Sequence, residues 1–345
     1  MQKKNNLSSQ EIFRIGIDLM GCDAQPIDIA KAIIAIFPEI PSSIAIVFFG
    51  TQEILNEIPA HEQVTVCVTN EVITMDEDPL FAVRRKKTSS LFMAMKSLQS
   101  KTIDALISAG NTGALIASAN LLLPKLPGID RAALLTLLPT KLHPIAVLDV
   151  GANPSFKVQH LLQYAAMGIA YQKSRGIKHP TVGLLNIGAE AGKGTPEIRN
   201  AYQLLEQLNK TTPPNLTFIG NIEGRNVFNG IVDVLVTDGF TGNVFLKTAE
   251  GIASFILSQL EGNISEPQLN LSTLRKRLHY AEYPGAVVAG VDGVVMKCHG
   301  DGSPTAFRES LKAISRLLAH NFLEHVKSEL SSETHHWSLS SLFKK

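Results

Sequence analysis

Short apolar runs, each closed by a turn rich in Gly, Asn or Asp and followed by a helix-length segment, recur along almost the whole chain. The runs at 13–19, 43–50, 64–69, 103–107, 146–150, 182–187, 216–219, 231–236 and 293–296 have the length of buried strands rather than of helices. Helices are expected after Pro26, over 79–100, 160–175, 197–209 and 244–260, and from Pro304 to about 323. Strands that alternate with helices favour parallel pairing, with helices laid on both faces. The pattern therefore predicts a doubly wound, mostly parallel α/β sheet in three αβα layers. Ligands of such sheets gather at the carboxyl ends of strands, and the polar residues of this chain fall at those ends, which predicts one shared crevice.

Composition narrows the class. A chain of 345 residues, 45% hydrophobic and 18% charged, can bury a sizeable core. Its net charge of +1 gives no general attraction to nucleic acid. Cys22, Cys67 and Cys298 are scattered without CxxC spacing, which argues against a disulfide framework or a zinc site and suits a reducing compartment. Residues 1–10 lack the apolar centre of a signal peptide, and no uncharged apolar run reaches the ~18 residues of a spanning helix. The chain reads as cytoplasmic, with a flexible start (1–12), a single α/β domain (13–327) and a loose tail (328–345).

Several turns could carry chemistry. Residues 187–195 hold three glycines and Lys193, with Pro196 where a helix should begin. Glycines let backbone N–H groups approach an anion and a helix N-terminus adds partial positive charge, although a plain turn with a solvated lysine fits the same pattern. Asp18 and Asp23 flank another strand end and could hold a metal, orient a substrate or bond their own turn. The stretch around Ser108, Asn111 and Thr112 offers neutral donors before an alanine-rich helix. None of these turns is a dinucleotide or Walker loop. Asp238 and Asn243 precede a long apolar helix, where an amide can cap the helix or donate to a substrate carbonyl. His299 follows the last strand, a position suited to a general acid or base. Basic clusters occur at Arg84, Arg85, Lys86 and Lys87 and at Arg275, Lys276 and Arg277; each can be a solvated face or a site for an acidic partner. The second lies in 252–280, where a basic amphipathic helix could rest on an anionic bilayer or on its own domain.

Taken together, Asp18-Leu19-Met20-Gly21-Cys22-Asp23, the stretch 108–114, Leu148-Asp149-Val150-Gly151-Ala152-Asn153 and Gly183-Leu184-Leu185-Asn186-Ile187-Gly188 resemble a known family. So do Gly220-Asn221-Ile222-Glu223-Gly224, Asp238-Gly239-Phe240-Thr241-Gly242-Asn243-Val244 and Gly293-Val294-Val295-Met296-Lys297-Cys298-His299-Gly300. The chain is similar, from about Arg14 to about Leu318, to the bacterial phosphate acyltransferases, which convert acyl-acyl-carrier protein and phosphate to acyl phosphate. The resemblance implies a fold related to phosphotransacetylases and isopropylmalate-type dehydrogenases and a homodimer; no cofactor is expected, and Asp18 and Asp23 leave a metal beside the phosphate open. It implies the first step of phosphatidic acid and phospholipid synthesis, ahead of a membrane glycerol-3-phosphate acyltransferase, and peripheral membrane association through a helical tip within 252–280. On that resemblance Lys193 would bind or neutralise phosphate and Asn243 would donate to the carbonyl oxygen. Ser108, Asn111, Thr112, Asp18, Asp238 and His299 are candidates for phosphate and substrate contacts, and both basic clusters for docking the acidic carrier. Ala189, Ala191 and the turn Tyr283-Pro284-Gly285-Ala286-Val287 depart from the family pattern. The alternatives are a phosphotransacetylase-like enzyme using acyl-coenzyme A, an acyl-cysteine route through Cys22 or Cys298, and a non-catalytic membrane-associated lipid-binding scaffold.

Overall fold

The computed structural model describes residues 12–211, 216–263, 285–298 and 302–336. The chain begins with β1 (Phe13–Asp18), α1 (Pro26–Ala35), β2 (Ile44–Gly50), α2 (Gln52–Asn56) and β3 (Val64–Val68). Next come α3 (Pro79–Arg85), α4 (Ser90–Gln99), β4 (Ala105–Ser108) and α5 (Thr112–Leu122), then β5 (Ala133–Leu138) and β6 (Ile145–Leu148). The series α6 (Val158–Ser174), β7 (Thr181–Asn186), α7 (Pro196–Thr211), β8 (Thr217–Glu223), α8 (Gly224–Val227), β9 (Val234–Val236) and α9 (Gly239–Asn263) follows. The chain returns through β10 (Gly285–Ala289), β11 (Val294–Cys298), α10 (Pro304–Ala319) and α11 (Phe322–His336).

All these strands join one sheet in the order β3-β2-β1-β4-β11-β10-β5-β6-β9-β7-β8. One apolar cluster lies under α1, α6, α7, α10 and α11, and a second under α3, α4, α5 and α8 on the other face. The three-layer arrangement is thus the one the strand–helix alternation demands.

Two strands escaped the sequence pattern. β5 is almost wholly buried, and its run of leucines shows no alternation; β10 begins inside what reads as a turn. Both pair antiparallel, β10 with β11 and β5, and β5 with β6. They separate two parallel groups, β3-β2-β1-β4-β11 and β6-β9-β7-β8, which consequently run in opposite directions. Sheets twist by about 20–25° per strand, so the five steps from β4 to β9 accumulate roughly 100–125°. That rotation turns the carboxyl ends of the second group back toward those of the first.

Two boundaries also differ. The expected helix over 79–100 is two helices, because the Ser89 hydroxyl caps α4 at Phe92 N (3.4 Å) and Thr88 turns aside to Glu71 (2.6 Å). The tail expected to be loose from 328 is helical through His336. It docks on α6 with Leu330 fully buried, Phe322 edge-on to Tyr171 and Glu329 paired to Lys173 at 3.1 Å.

Candidate active site

A cleft of about 200 Å³ opens where the two opposed strand groups meet. Thr112, after β4, and Lys297, on β11, come from one group; Gly151, after β6, and Asn243, after β9, come from the other. The expected crevice therefore exists, but the sheet's twist makes it rather than a common strand direction.

The Asn243 wall is shaped by small residues. Asp238 Oδ1 accepts from Phe240 N (3.0 Å) and Thr241 N (2.9 Å) and so caps α9. With that task taken, Asn243 stands one turn further on, exposed at the cleft. A Cβ on Gly242 would strike the Asp149 carbonyl oxygen, and one on Gly151 (φ +132°) would lie 3.3 Å from Asn243 Cγ. Only glycines let α9 press this close to the turn after β6. Asp149 fixes that turn: its buried carboxylate accepts from Leu134 N, Gly151 N and Ala152 N and from both Asn153 N and Nδ2, at 2.8–3.1 Å. Burial nonetheless pushes the Asp149 carboxyl upward.

Lys297 of the opposite wall belongs to a polar row that strand pairing creates, whose other members, Asp18 and Ser108, are buried outside the cleft lining. Asp18 pairs in register with Ser108, and Ser108 with Lys297, so three polar side chains share one face of three neighbouring parallel strands. Ser108 Oγ donates to Asp18 Oδ2 (2.8 Å) and accepts from Gly110 N (3.2 Å). Burial pushes the Asp18 carboxyl up to about 6, against hydrogen bonds from Ser90, Ser108 and Met20 N and the nearby charge of Lys297. Lys297 Nζ donates to the Ala109 carbonyl (3.0 Å) and the Cys298 carbonyl (2.8 Å), and burial draws its pKa down. Lys297 carried no role in the sequence reading. The signal that could have found it is a lone lysine inside an otherwise apolar strand.

Other candidates have different duties. Asn111 caps α5 at Ala114 N (3.0 Å), and its Nδ2 reaches the carbonyls of Thr74, Met75 and Glu77 at 3.1–3.3 Å. Its side chain is thus a staple for the 74–77 loop and stands outside the cleft lining. Thr112 remains in the cleft. Lys193 is exposed on the loop between β7 and α7 and does not line the cleft, although β7 adjoins β9 and so sets it beside the Asn243 strand end. Its backbone is firmly held: Asn186 Nδ2 donates to Lys193 O (3.1 Å), Lys193 N to Glu190 O (3.1 Å) and Asn221 Nδ2 to Glu190 O (2.8 Å). Gly194 (φ +89°) packs so close to Asn186 that a side chain would not fit.

Of the first basic cluster, Arg84, Arg85 and Lys87 are exposed, with Arg85 over the Phe81 ring and Lys87 over Phe92, both at 4.5 Å. Lys86 instead folds inward to Glu77 (2.6 Å) and the Val72 carbonyl (2.7 Å). Arg275, Lys276, Arg277 and His299 lie outside the described residues, as does the 252–280 tip beyond Asn263. Burial pushes the Cys22 thiol up, away from the thiolate a nucleophile needs, and Cys298 is buried. Among the described residues no three His, Cys, Asp or Glu side chains form a metal-sized cluster, and no helix is long and apolar enough to cross a membrane.

The chain matches a family model described as fatty acid synthesis protein over residues 13–325. It is 37% identical to a phosphate acyltransferase of Clostridium tetani, covering 92% of this chain and 98% of that one. It is 40% identical to one of Chlamydia abortus, covering 92% and 99%. A solved phosphotransacetylase from Streptococcus pyogenes superposes with a TM-score of 0.59 at 15% identity (89% of this chain, 94% of that one). A branched-chain phosphotransacylase from Enterococcus faecalis does so with a TM-score of 0.56 at 12% identity (91% and 99%). At such identities the two structures establish a shared fold.

Proposed function

This chain belongs to the phosphate acyltransferase family, and we propose that it moves a fatty acyl group from the thioester of acyl-carrier protein to inorganic phosphate. A phosphate oxygen attacks the thioester carbonyl carbon, the C–S bond breaks, and the proton of hydrogen phosphate ends on the departing thiolate. Acyl phosphate and free carrier thiol result. Attack places negative charge on the carbonyl oxygen, and a fixed amide donor at that position is worth most in a site that water reaches poorly. The observation that carries the reading is Asn243, set on the cleft wall by the Asp238 cap and the glycine contacts beneath it. Lys193, on the neighbouring strand end, supplies positive charge for the incoming dianion.

The acidic carrier docks, on this reading, against Arg84, Arg85 and Lys87, with Leu80 and Phe81 as exposed apolar contacts. Pro79 at the start of α3 abuts Gly113, next to Thr112 of the cleft, so the patch adjoins the mouth. Arg275, Lys276 and Arg277 extend that docking role. The exposed Ile252, Phe255 and Ile256 of α9 are the described part of the tip that rests on an anionic membrane. There a homodimer would pass acyl phosphate to a membrane glycerol-3-phosphate acyltransferase.

Purified protein supplied with acyl-carrier protein thioester and phosphate is expected to release acyl phosphate and free thiol in equal amounts. Product from acyl-coenzyme A alone would reassign the donor, and no product from either would overturn the reading.

A further inference from the structure

Of the two lysines that line the cleft, Lys247 is matched by Glu250, 3.3 Å away on the same helix. Lys297 is not so matched. It is only 7% exposed, and among the described residues its ammonium bonds two backbone carbonyls and no carboxylate. Asp18, the acid of its cross-strand row, already accepts the Ser108 hydroxyl, and its burial favours the neutral form. A desolvated cation of this kind is costly to keep without a counter-charge. The ammonium has three N–H donors, and carbonyls occupy two of them. The third has no acceptor among the described residues, and the cleft is the adjoining space. Thr112 and Asn243 line that same space, so an anion seated on Lys297 would lie between α5 and the amide that faces the acyl carbonyl.

We propose that Lys297 is the phosphate-binding cation of the cleft, holding one anionic oxygen of the nucleophile while another attacks the carbonyl presented to Asn243. The assignment rests on the acyl-transfer reading and places the phosphate deeper than Lys193, which then attracts the anion at the rim. Asp18 and Ser108 are positioning residues. They sit beside Lys297 in the cross-strand row and fix where its strand end stands, without themselves touching phosphate.

Two measurements test this, and they fail separately from the acyl-transfer reading. In steady-state assays Lys297→Gln should raise the KM for phosphate about 10- to 100-fold, the scale of one lost charge-assisted hydrogen bond, and leave the KM for the acyl donor within about twofold. Lys297→Arg, which keeps the charge, should recover part of the loss. An unchanged phosphate KM in Lys297→Gln, beside a raised one in Lys193→Ala, would overturn the assignment. Should Lys297→Gln fail to fold, wild-type crystals soaked in arsenate decide: an anomalous peak within hydrogen-bonding reach of Lys297 Nζ supports the proposal, and a peak only at Lys193 or no ordered peak refutes it. The soak needs no turnover, so a wild-type enzyme inactive with every acyl donor would discredit the reaction while leaving the anion site to stand or fall by itself.

Discussion

Lys297 and Lys193 both stand at carboxyl ends of strands, yet the fold treats them oppositely. Lys297 is nine-tenths buried, and its head group is tied to two carbonyls. Lys193 is exposed, and it is the backbone around it that Asn186, Asn221 and Arg199 tie down. A solvated lysine costs the fold almost nothing, so its presence alone says little. A desolvated one opposes folding unless something offsets it, so its persistence in a cleft says more. The tied loop of Lys193 gives its own kind of information: a fixed backbone beneath an exposed side chain suits capture at a rim rather than precise seating.

Experiments that break or sharpen this contrast can be ranked by effect. The cleft side should be the more sensitive. Asn243→Ala is expected to lower kcat by two to three orders of magnitude with little change in either KM, as loss of an oxyanion donor does elsewhere; near-normal turnover would remove Asn243 from the chemistry. Asp18→Asn probes the buried row through pH. A carboxyl raised from 3.8 to about 6 opposes folding once ionised, so its contribution is intact below about pH 4 and is lost as pH rises through 6. Wild type should therefore lose up to about 3 kcal/mol relative to Asp18→Asn between pH 4 and 7 in urea melts. Parallel pH profiles would show that the row is not desolvated. Gly242→Ala, which drives a Cβ into the Asp149 carbonyl, should cost roughly 1–3 kcal/mol in the same melts and displace Asn243 as well. On the exposed side effects should shrink. Arg84→Glu with Arg85→Glu should raise the carrier KM about 3- to 10-fold at low salt and leave the melting curve in place. Lys86→Gln should do the reverse, since Lys86 faces Glu77 rather than solvent.

Much of this molecule was legible before its structure. The strand–helix alternation gave the layers and most elements within a few residues, because period and length are local properties. The glycine turns fall at strand ends, as period and length predict, and Asn243 is among the residues that line the cleft. What failed was non-local. β5 and β10 hide because burial on both faces erases alternation, and with them hid the reversal of direction between the two strand groups. Asn111 read as a free donor because nothing nearby in sequence shows that the 74–77 carbonyls claim its amide. Lys297 acquires meaning only from its register with Ser108 and Asp18, on strands far earlier in the chain.

That register bears on how the enzyme is made. β11 slots between β4 and β10, pairing Ile107 with Met296, about 190 residues later in the chain. Bringing such distant segments together costs loop-closure entropy before any contact offsets it. A chain emerging from the ribosome can therefore assemble β1 to β4, and later the β5 to β9 group, with the β4 and β5 edges still lacking β11 and β10. The cleft floor arrives last, and a nascent chain stalled before residue 294 would hold Asn243 and Lys193 but have nowhere to seat an anion between the halves.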